Sequence, residues 1–208
     1  SAVDPIVRNQ LQDEFLRLQA DISKTIVMVT HDIDEALKLG DQVVVLREGG
    51  TLAQASTPAE LLAAPNDAFV ADFVGSARGY RALGFHTFDD QLVLNHEPTV
   101  TVGQSVSAIP PIEGRWILAV DANNVPVGWV DTASVRGDTV QDADVNLCAT
   151  MARDGDPLRE LLNSALSSPS GRCVVTDDLG RLLGTATDHD VIDAIKRAKD
   201  SAREAVTT

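Results

Sequence analysis

Two stretches of the chain share one pattern, RWILAVDANNVPVGWVDTASV (residues 115–135) and GRCVVTDDLGRLLGTATDHDV (residues 171–191). Asp121 aligns with Asp177 and Gly128 with Gly184, and both pairs are separated by the same interval along the chain. Each copy has two apolar runs that flank a turn, which predicts a strand, a turn, a second strand and the start of a helix. The carboxyl-terminal part of the chain is therefore expected to contain a duplicated structural unit.

The two copies differ in the residues that precede them. Before the second copy, Asp156 and Pro157 open a predicted helix, which carries one apolar face. Before the first copy, residues 103–111 hold no comparable apolar stripe and end in Pro-Pro. We therefore predict that the first copy lacks this helix.

The segment at residues 1–75 alternates between helical and strand patterns. Residues 5–20 place apolar side chains at helical spacing, whereas TIVMVT (residues 25–30) is a β-branched run typical of a strand buried in a parallel sheet. Asp32 and Glu35 predict a capping box for a helix that Gly40 ends. Strands at residues 43–46 and 52–55, and a helix opened by residues 57–60, are expected to follow.

Glycine, asparagine and proline interrupt every periodic stretch between residues 75 and 99. We therefore predict a linker at residues 76–98, between a first domain at residues 1–75 and a second at residues 99–208. Within the second domain, the two copies are expected to occupy about residues 99–140 and 141–200.

Composition restricts the class of protein. A net charge of −14 and a pI near 4.5 argue against nucleic acid as the main partner, because neutralising phosphates requires clustered basic residues. Cys148 and Cys173 have no metal-ligand spacing, and no metal site is expected. No apolar run reaches the ~18 residues that span a bilayer, so membrane association is expected to come through a partner.

The first half resembles the ATPase domain of ABC transporters. The segments that carry this resemblance are SAVDPIVR (residues 1–8), THD (30–32), DEAL (34–37) and GGTLAQASTPAELLAAPNDAFVADFVG (49–75). They are most similar to subunits that import glycine betaine, choline or proline. The resemblance implies that His31 is the switch histidine at the ATP γ-phosphate and that Asp4 belongs to the D-loop. It also implies ATP and Mg²⁺ in the intact subunit, a homodimer, permease partners and a location on the cytoplasmic face of the membrane.

Three ABC motifs are missing from the chain: a G-x-x-x-x-G-K-[ST] phosphate loop, an LSGGQ-like signature and an apolar run that ends in Asp-Glu. We therefore expect a carboxyl-terminal fragment that does not hydrolyse ATP alone. Without those neighbouring strands, the apolar side chains of residues 25–30 and 42–46 are expected to be exposed.

The duplicated unit resembles a pair of CBS motifs, which pack together as a Bateman module. In the second copy, GTATDHD (residues 184–190) matches the family pattern in which Thr187 and Asp190 bind the ribose and phosphate of an adenine nucleotide. Thr187 and Asp190 are equally well explained as a capping box of the following helix. Asp131 and Ser134 occupy the equivalent positions in the first copy, where an acid would repel an anion, so that site is expected to be degenerate.

The predicted fold class is α/β and α+β, a partial ABC ATPase segment followed by a tandem CBS module. The resemblance implies a regulatory role in which the module senses a nucleotide, with cyclic di-AMP favoured, or ionic strength. Contact of the basic carboxyl-terminal helix with anionic lipid is one route to an ionic response, although a solvated helix end that complements the helix dipole is the favoured explanation of these basic residues. The alternative function is a ligand-free dimerisation element.

Overall fold

The computed structural model describes residues 4–22, 24–87, 92–146 and 150–206. The chain divides into two compact units, Ser1–Ala82 and Leu83–Thr208. The first unit contains a two-stranded antiparallel hairpin and helices, and the second contains two small sheets with two helices.

The first unit is built around the hairpin. Val43 pairs with Ser56 across it, and Gly49 and Gly50 both adopt positive φ angles at its turn, which glycine tolerates without steric cost. The unit contains α1 (Pro5–Ile22), α2 (Ile33–Leu39), β1 (Val43–Leu46), β2 (Leu52–Ser56), α3 (Pro58–Ala63), α4 (Ala68–Val74) and α5 (Arg78–Ala82). Its core consists of the buried side chains Leu37, Val43, Val45, Leu61, Leu62, Val70 and Val74.

Helix capping in this unit follows the sequence in one case and departs from it in another. Thr57 and Glu60 form the predicted capping box of α3. At α2, Asp32 accepts hydrogen bonds from the Asp34 and Glu35 amides, as predicted for an N-cap. The Glu35 carboxylate does not return to the cap, because it accepts from the Thr30 hydroxyl at 2.7 Å. The capping box predicted for α2 is therefore only half correct.

The predicted strand at residues 25–30 is wrong. Residues 24–30 form neither helix nor strand, and the side chains of Val27 and Val29 are 87% and 95% exposed. A strand exists only when a neighbouring strand accepts its backbone hydrogen bonds. The described part of the first unit contains no strand that pairs with these residues. Exposure of this apolar segment agrees with the expectation drawn from the missing motifs. The same expectation is wrong for Val43 and Val45, which are buried because β1 pairs with β2 and packs in the core of this unit.

The second unit contains two sheets in the strand orders β3-β4-β5-β6 and β7-β8-β9. Its elements are β3 (Thr99–Val100), β4 (Trp116–Val120), β5 (Pro126–Asp131), β6 (Val145–Asn146), β7 (Ala152–Arg153), α6 (Leu158–Ser167), β8 (Arg172–Thr176), β9 (Leu182–Thr187) and α7 (Asp188–Val206). Short 3₁₀ turns lie at Leu83–Phe85, Val106–Ala108 and Asp142–Asp144.

The two sheets repeat one geometry. Trp116 pairs with Asp131 in the first hairpin and Arg172 with Thr187 in the second, and each hairpin has a register shift at the equivalent place. A short parallel strand lies beside each hairpin, β3 beside β4 and β7 beside β8. The duplication predicted from the constant interval between the copies is therefore confirmed at the level of strand register.

The copies differ in their helices. The predicted helix before the second copy is α6, and the segment before the first copy contains only a 3₁₀ turn, as expected. The predicted helix start after Asp131 is wrong, because residues 132–134 form a turn. In the second copy α7 begins directly after β9. The Asp131 carboxylate binds the Ala133 amide and the Ser134 hydroxyl in a local turn, which competes with a helix.

The residues that lead into each copy pair with the other copy. Asn95, which precedes the first copy, exchanges two backbone hydrogen bonds with Thr185 of β9, at 2.7 and 3.0 Å. Asn146, which precedes the second copy, pairs with Trp129 of β5. Leu83 and Leu92 are buried with α6 and α7 in the core of the second copy. Part of the interval expected to be a linker therefore packs within the second unit.

Candidate functional site

His31 and Asp4 lie at the edges of helices in the first unit. Asp4 directly precedes α1, and its side chain accepts from the Val7 amide at 3.4 Å. His31 is exposed and directly precedes the N-cap residue of α2. Ion pairs hold α1 beside α2, with Arg8 3.8 Å from Asp32 and Lys38 2.8 Å from Asp13. The roles of His31 and Asp4 in ATP hydrolysis stay predictions.

Thr187 and Asp190 contact each other at the junction between β9 and α7. Oδ2 of Asp190 accepts from the Thr187 amide at 2.9 Å and from the Thr187 hydroxyl at 2.7 Å. The Asp190 amide donates back to the Thr187 hydroxyl oxygen at 3.2 Å. These are the reciprocal bonds of a capping box, so the two residues stabilise the first turn of α7 without a ligand.

The second copy keeps acceptor capacity and space at this junction. No described residue donates a hydrogen bond to Oδ1 of Asp190, and a carboxylate offers two acceptor oxygens. Gly171 lies beside the junction, since its carbonyl accepts from the Asp188 amide at 3.1 Å. A Cβ atom added at Gly171 would meet no heavy atom within 4 Å. Oδ1 of Asp190 is therefore available as an acceptor, and no described side chain closes on the backbone of Gly171.

The equivalent junction of the first copy is filled by its own side chains. Oδ1 of Asp131 accepts from Nε of Arg115 at 2.6 Å and from the Ala133 amide at 3.1 Å. Oδ2 accepts from the Ser134 hydroxyl at 2.5 Å and from Nη2 of Arg115. Asp131 is only 6% exposed. Hydrogen bonds from Arg115 and Ser134 hold the pKa of the Asp131 carboxyl well below its usual range.

Sequence reasoning found Asp131 and Ser134 but missed Arg115. The arginine lies well before Asp131 in the chain, and only the hairpin register brings the two together. Pairing of Trp116 with Asp131 in that register puts Arg115 next to the end of β5. Comparison of the two copies could have drawn attention to Arg115, because the second copy has Gly171 at the equivalent position and the two copies therefore differ there.

The side chains of Glu97 and Arg172 connect the two copies. Glu97 accepts from Nη1 of Arg172 at 2.7 Å and from the Thr185 hydroxyl at 2.9 Å. Arg172 also donates to the Trp116 carbonyl at 3.4 Å. Its guanidinium carbon lies 5.8 Å from the centre of the Trp129 ring, which is compatible with a cation–π contact.

Trp129 is fully buried between the two sheets, where it packs against Leu118 and Val174 with Trp116 alongside. Its indole Nε1 is buried and has no hydrogen-bond partner in the part of the chain that the structure describes.

Other candidate sites contribute little. Lys196 pairs with Asp193 at 2.9 Å, while the side chains of Lys199 and Arg203 lie outside the described residues, as does Cys148. Burial raises the pKa of the Cys173 thiol to about 11. The described side chains contain no cluster of His, Cys, Asp and Glu suited to a metal ion. Among the described residues, no helix has the length and apolar character that crossing a bilayer requires.

Comparison with known proteins gave matches over nearly the whole chain. The chain is 31% identical over 203 residues to the osmoprotectant import ATP-binding protein OsmV of Salmonella typhimurium, a match that covers 95% of this chain and 53% of OsmV. It is 33% identical over 207 residues to the glycine betaine/carnitine/choline transport ATP-binding protein OpuCA of Bacillus subtilis, covering 93% of this chain and 53% of OpuCA. The chain spans about half the length of these relatives.

Comparisons with family models and with solved structures are less informative about this chain. No family model matches the chain. The CBS-pair protein CBSX2 of Arabidopsis thaliana is similar over 55% of this chain and 97% of its own, with 19% identity and a TM-score of 0.42. The duplicated architecture of the second unit is shown by the repeated strand register of its two hairpins. More than nine-tenths of the chain is therefore similar to about half of each of two ATP-binding proteins of osmoprotectant or quaternary-amine import systems.

Proposed function

We propose that this chain is the regulatory portion of the ATP-binding subunit of a quaternary-amine osmoprotectant importer. In this proposal, the CBS module binds an adenine nucleotide through Thr187 and Asp190 and adjusts the rate of transport. The names of the relatives support the transport role, since they are import proteins for osmoprotectants, glycine betaine, carnitine and choline.

The observation that supports the nucleotide site is the hydrogen bonding of the two carboxylate oxygens of Asp190. Its Oδ2 caps the helix, and Oδ1 is not bonded to any described residue. A carboxylate with a free oxygen accepts hydrogen bonds from ribose hydroxyls well, because bonds to a charged acceptor are stronger than neutral ones. The Gly171 backbone beside this junction also has no heavy atom within 4 Å of an added Cβ, so no side chain blocks that approach.

Local charge favours a ligand with little negative charge. The first turn of α7 carries Asp188 and Asp190, and its nearby His189 is bound to the Asp188 carboxylate at 2.9 Å. Two carboxylates at the helix N-terminus oppose the approach of a triphosphate. Cyclic di-AMP and AMP carry fewer charges than ATP and fit this surface better. Cyclic di-AMP is the favoured effector because it suits a cleft between two CBS modules.

Ionic strength is the other signal that the module could read. The net charge of the chain is −14. At physiological ionic strength, salt screens the interaction between exposed charges that are more than ~8 Å apart. A salt response without any ligand would arise from contacts of the module with anionic lipid or a neighbouring subunit.

The proposal places the protein in a larger assembly. The intact subunit would act as a homodimer at the cytoplasmic face of the membrane, bound to permease subunits. ATP and Mg²⁺ belong to that intact subunit, with His31 and Asp4 near the nucleotide. The described residues of this chain do not fit a Mg²⁺ ion, since they offer no metal-binding cluster. We expect no ATP turnover by this chain alone, and turnover at the rate of a complete subunit would contradict the assignment.

Isothermal titration tests the nucleotide site directly. AMP and cyclic di-AMP are titrated into the wild type and into Asp190→Ala, with folding of each checked by circular dichroism. Saturable heat in the wild type and none in Asp190→Ala is the expected result. Equal heat in both proteins would remove Asp190 from the site, and a response to salt alone would favour ionic sensing.

A ligand-free dimerisation element is the second candidate. The complete capping box of Thr187 and Asp190 favours it, because these residues have a structural role that needs no nucleotide. This candidate predicts no heat with either nucleotide. It also predicts a dimer in sedimentation analysis that neither nucleotide changes.

A further inference from the structure

We propose that the CBS module binds one adenosine group per chain, because Arg115 closes the site of the first copy from within. This inference rests on the proposed function and adds its stoichiometry and the residue that sets it. It is carried by contacts in the first copy that the second copy lacks.

The two junctions are equivalent in the fold. Asp131 ends β5 opposite Trp116, as Thr187 ends β9 opposite Arg172. Ser134 follows Asp131 at the same spacing by which Asp190 follows Thr187. A ligand that used the same geometry in both copies would therefore meet Asp131 and Ser134 in the first.

The Asp131 carboxylate has no capacity left for such a ligand. It accepts four hydrogen bonds, two from Arg115 and one each from Ser134 and Ala133. A carboxylate offers about four lone-pair sites. Breaking the paired bonds of a guanidinium to admit a hydroxyl would exchange charge-assisted bonds for weaker ones. The nearly complete burial of Asp131 adds to this closure.

The side chain of Arg115 has no counterpart at the equivalent position of the second copy. The equivalent residue there is Gly171, around which an added Cβ would find nothing within 4 Å. Nε and Nη2 of Arg115 both face the Asp131 carboxylate, so the guanidinium lies across the end of β5. Arg115 therefore fills the first junction and neutralises its carboxylate, while the second junction has neither feature.

Calorimetric stoichiometry with AMP as the probe tests the inference. The wild type is expected to bind one AMP per chain, and Asp190→Ala none. The triple variant Arg115→Ala, Asp131→Thr, Ser134→Asp gives the first copy the polar residues of the second and removes the closing side chain. It is expected to bind two AMP per chain. Arg136→Ala, an exposed arginine of the same copy, is the matched control and should still bind one.

The outcomes distinguish the stoichiometry inferred here from the proposed nucleotide-binding function. Two AMP per wild-type chain, or one remaining in Asp190→Ala, would overturn the inference and leave the nucleotide-binding function standing. No binding of either AMP or cyclic di-AMP to the wild type would overturn both. If the triple variant does not fold, the Asp190→Ala titration still decides, because an open first site would retain one AMP. A folded triple variant that binds one AMP would also contradict closure by Arg115.

Discussion

Substitution of Gly184 by alanine should destabilise the second unit strongly. Gly184 lies in β9, next to the segment that contains Leu94 and Asn95 and precedes the first copy. An added Cβ would lie 2.8 Å from Cβ of Leu94 and 3.0 Å from the carbonyl oxygen of Asn95. Neither of these atoms can be moved by rotating a side chain, so the lead-in segment must shift as a whole.

The size of the effect follows from the contacts that the shift disturbs. Overpacking of this kind costs about 1 to 3 kcal/mol. The two backbone hydrogen bonds between Asn95 and Thr185 contribute about 1 kcal/mol each. Replacing glycine in a strand returns ~0.5 kcal/mol of chain entropy. Together these terms give a loss of about 2.5 to 4.5 kcal/mol. At ~4 °C per kcal/mol, the midpoint of unfolding should fall by about 10 to 18 °C.

Thermal unfolding followed by circular dichroism measures this loss, with Gly137→Ala as the matched control. At Gly137 an added Cβ would have its nearest neighbour at 3.5 Å, an ordinary contact. The control should therefore stay within about 0.5 kcal/mol of the wild type. Equal midpoints for Gly184→Ala and Gly137→Ala would refute the close packing of the lead-in segment on β9.

Three further predictions concern charges and the thiol. Asp131→Asn should be less stable than the wild type at pH 7; because the folded pKa of Asp131 is depressed, this difference should shrink below about pH 5 as the carboxylate is protonated. If the stability difference between Asp131→Asn and the wild type increased towards low pH, the ion pair of Asp131 with Arg115 would be contradicted. In a Cys148→Ser background, Cys173 should not react with a thiol reagent at pH 8 until the protein unfolds, since burial raises its pKa to about 11. Rapid labelling of the native protein would disprove its burial. Glu97→Gln should lower the free energy of unfolding by about 1 to 2 kcal/mol, because it breaks a half-buried ion pair, whereas Glu113→Gln at an exposed position should be neutral by urea titration.

Much of the second unit could be predicted from its sequence. The constant interval between the copies defined which positions are equivalent, and the strand pairing repeats at the same interval. The apolar runs of the two hairpins are long enough to form strands with each other, so local pattern and tertiary pairing agree. Helix α6 followed from Pro157 and one apolar face, whereas Asp156 does not cap it, because its carboxylate accepts from the Arg153 amide.

The incorrect predictions have physical causes. Residues 25–30 have strong strand propensity, but propensity forms no strand without a neighbour to bond. The helix start expected after Asp131 fails because its carboxylate is used by Arg115 and the local turn. Both errors come from reading each segment alone, whereas pairing across the fold decided the result.

The candidate site was only partly predictable for the same reason. Thr187 and Asp190 are close neighbours in the chain, so local spacing found them. Arg115 acts on Asp131 across a hairpin, and Glu97 acts on Arg172 from a distant part of the chain. Contacts between residues so far apart in sequence leave no local signature, and only the register of the strands brings them into view.

An amide NMR titration of the isotope-labelled chain with AMP observes both junctions in one experiment. We predict chemical-shift changes at Thr187, His189 and Asp190, and none at Ala133 and Ser134 of the first copy. Shifts in the first copy alone, or in neither copy, would contradict the proposal that the second junction is an open nucleotide site beside a closed one.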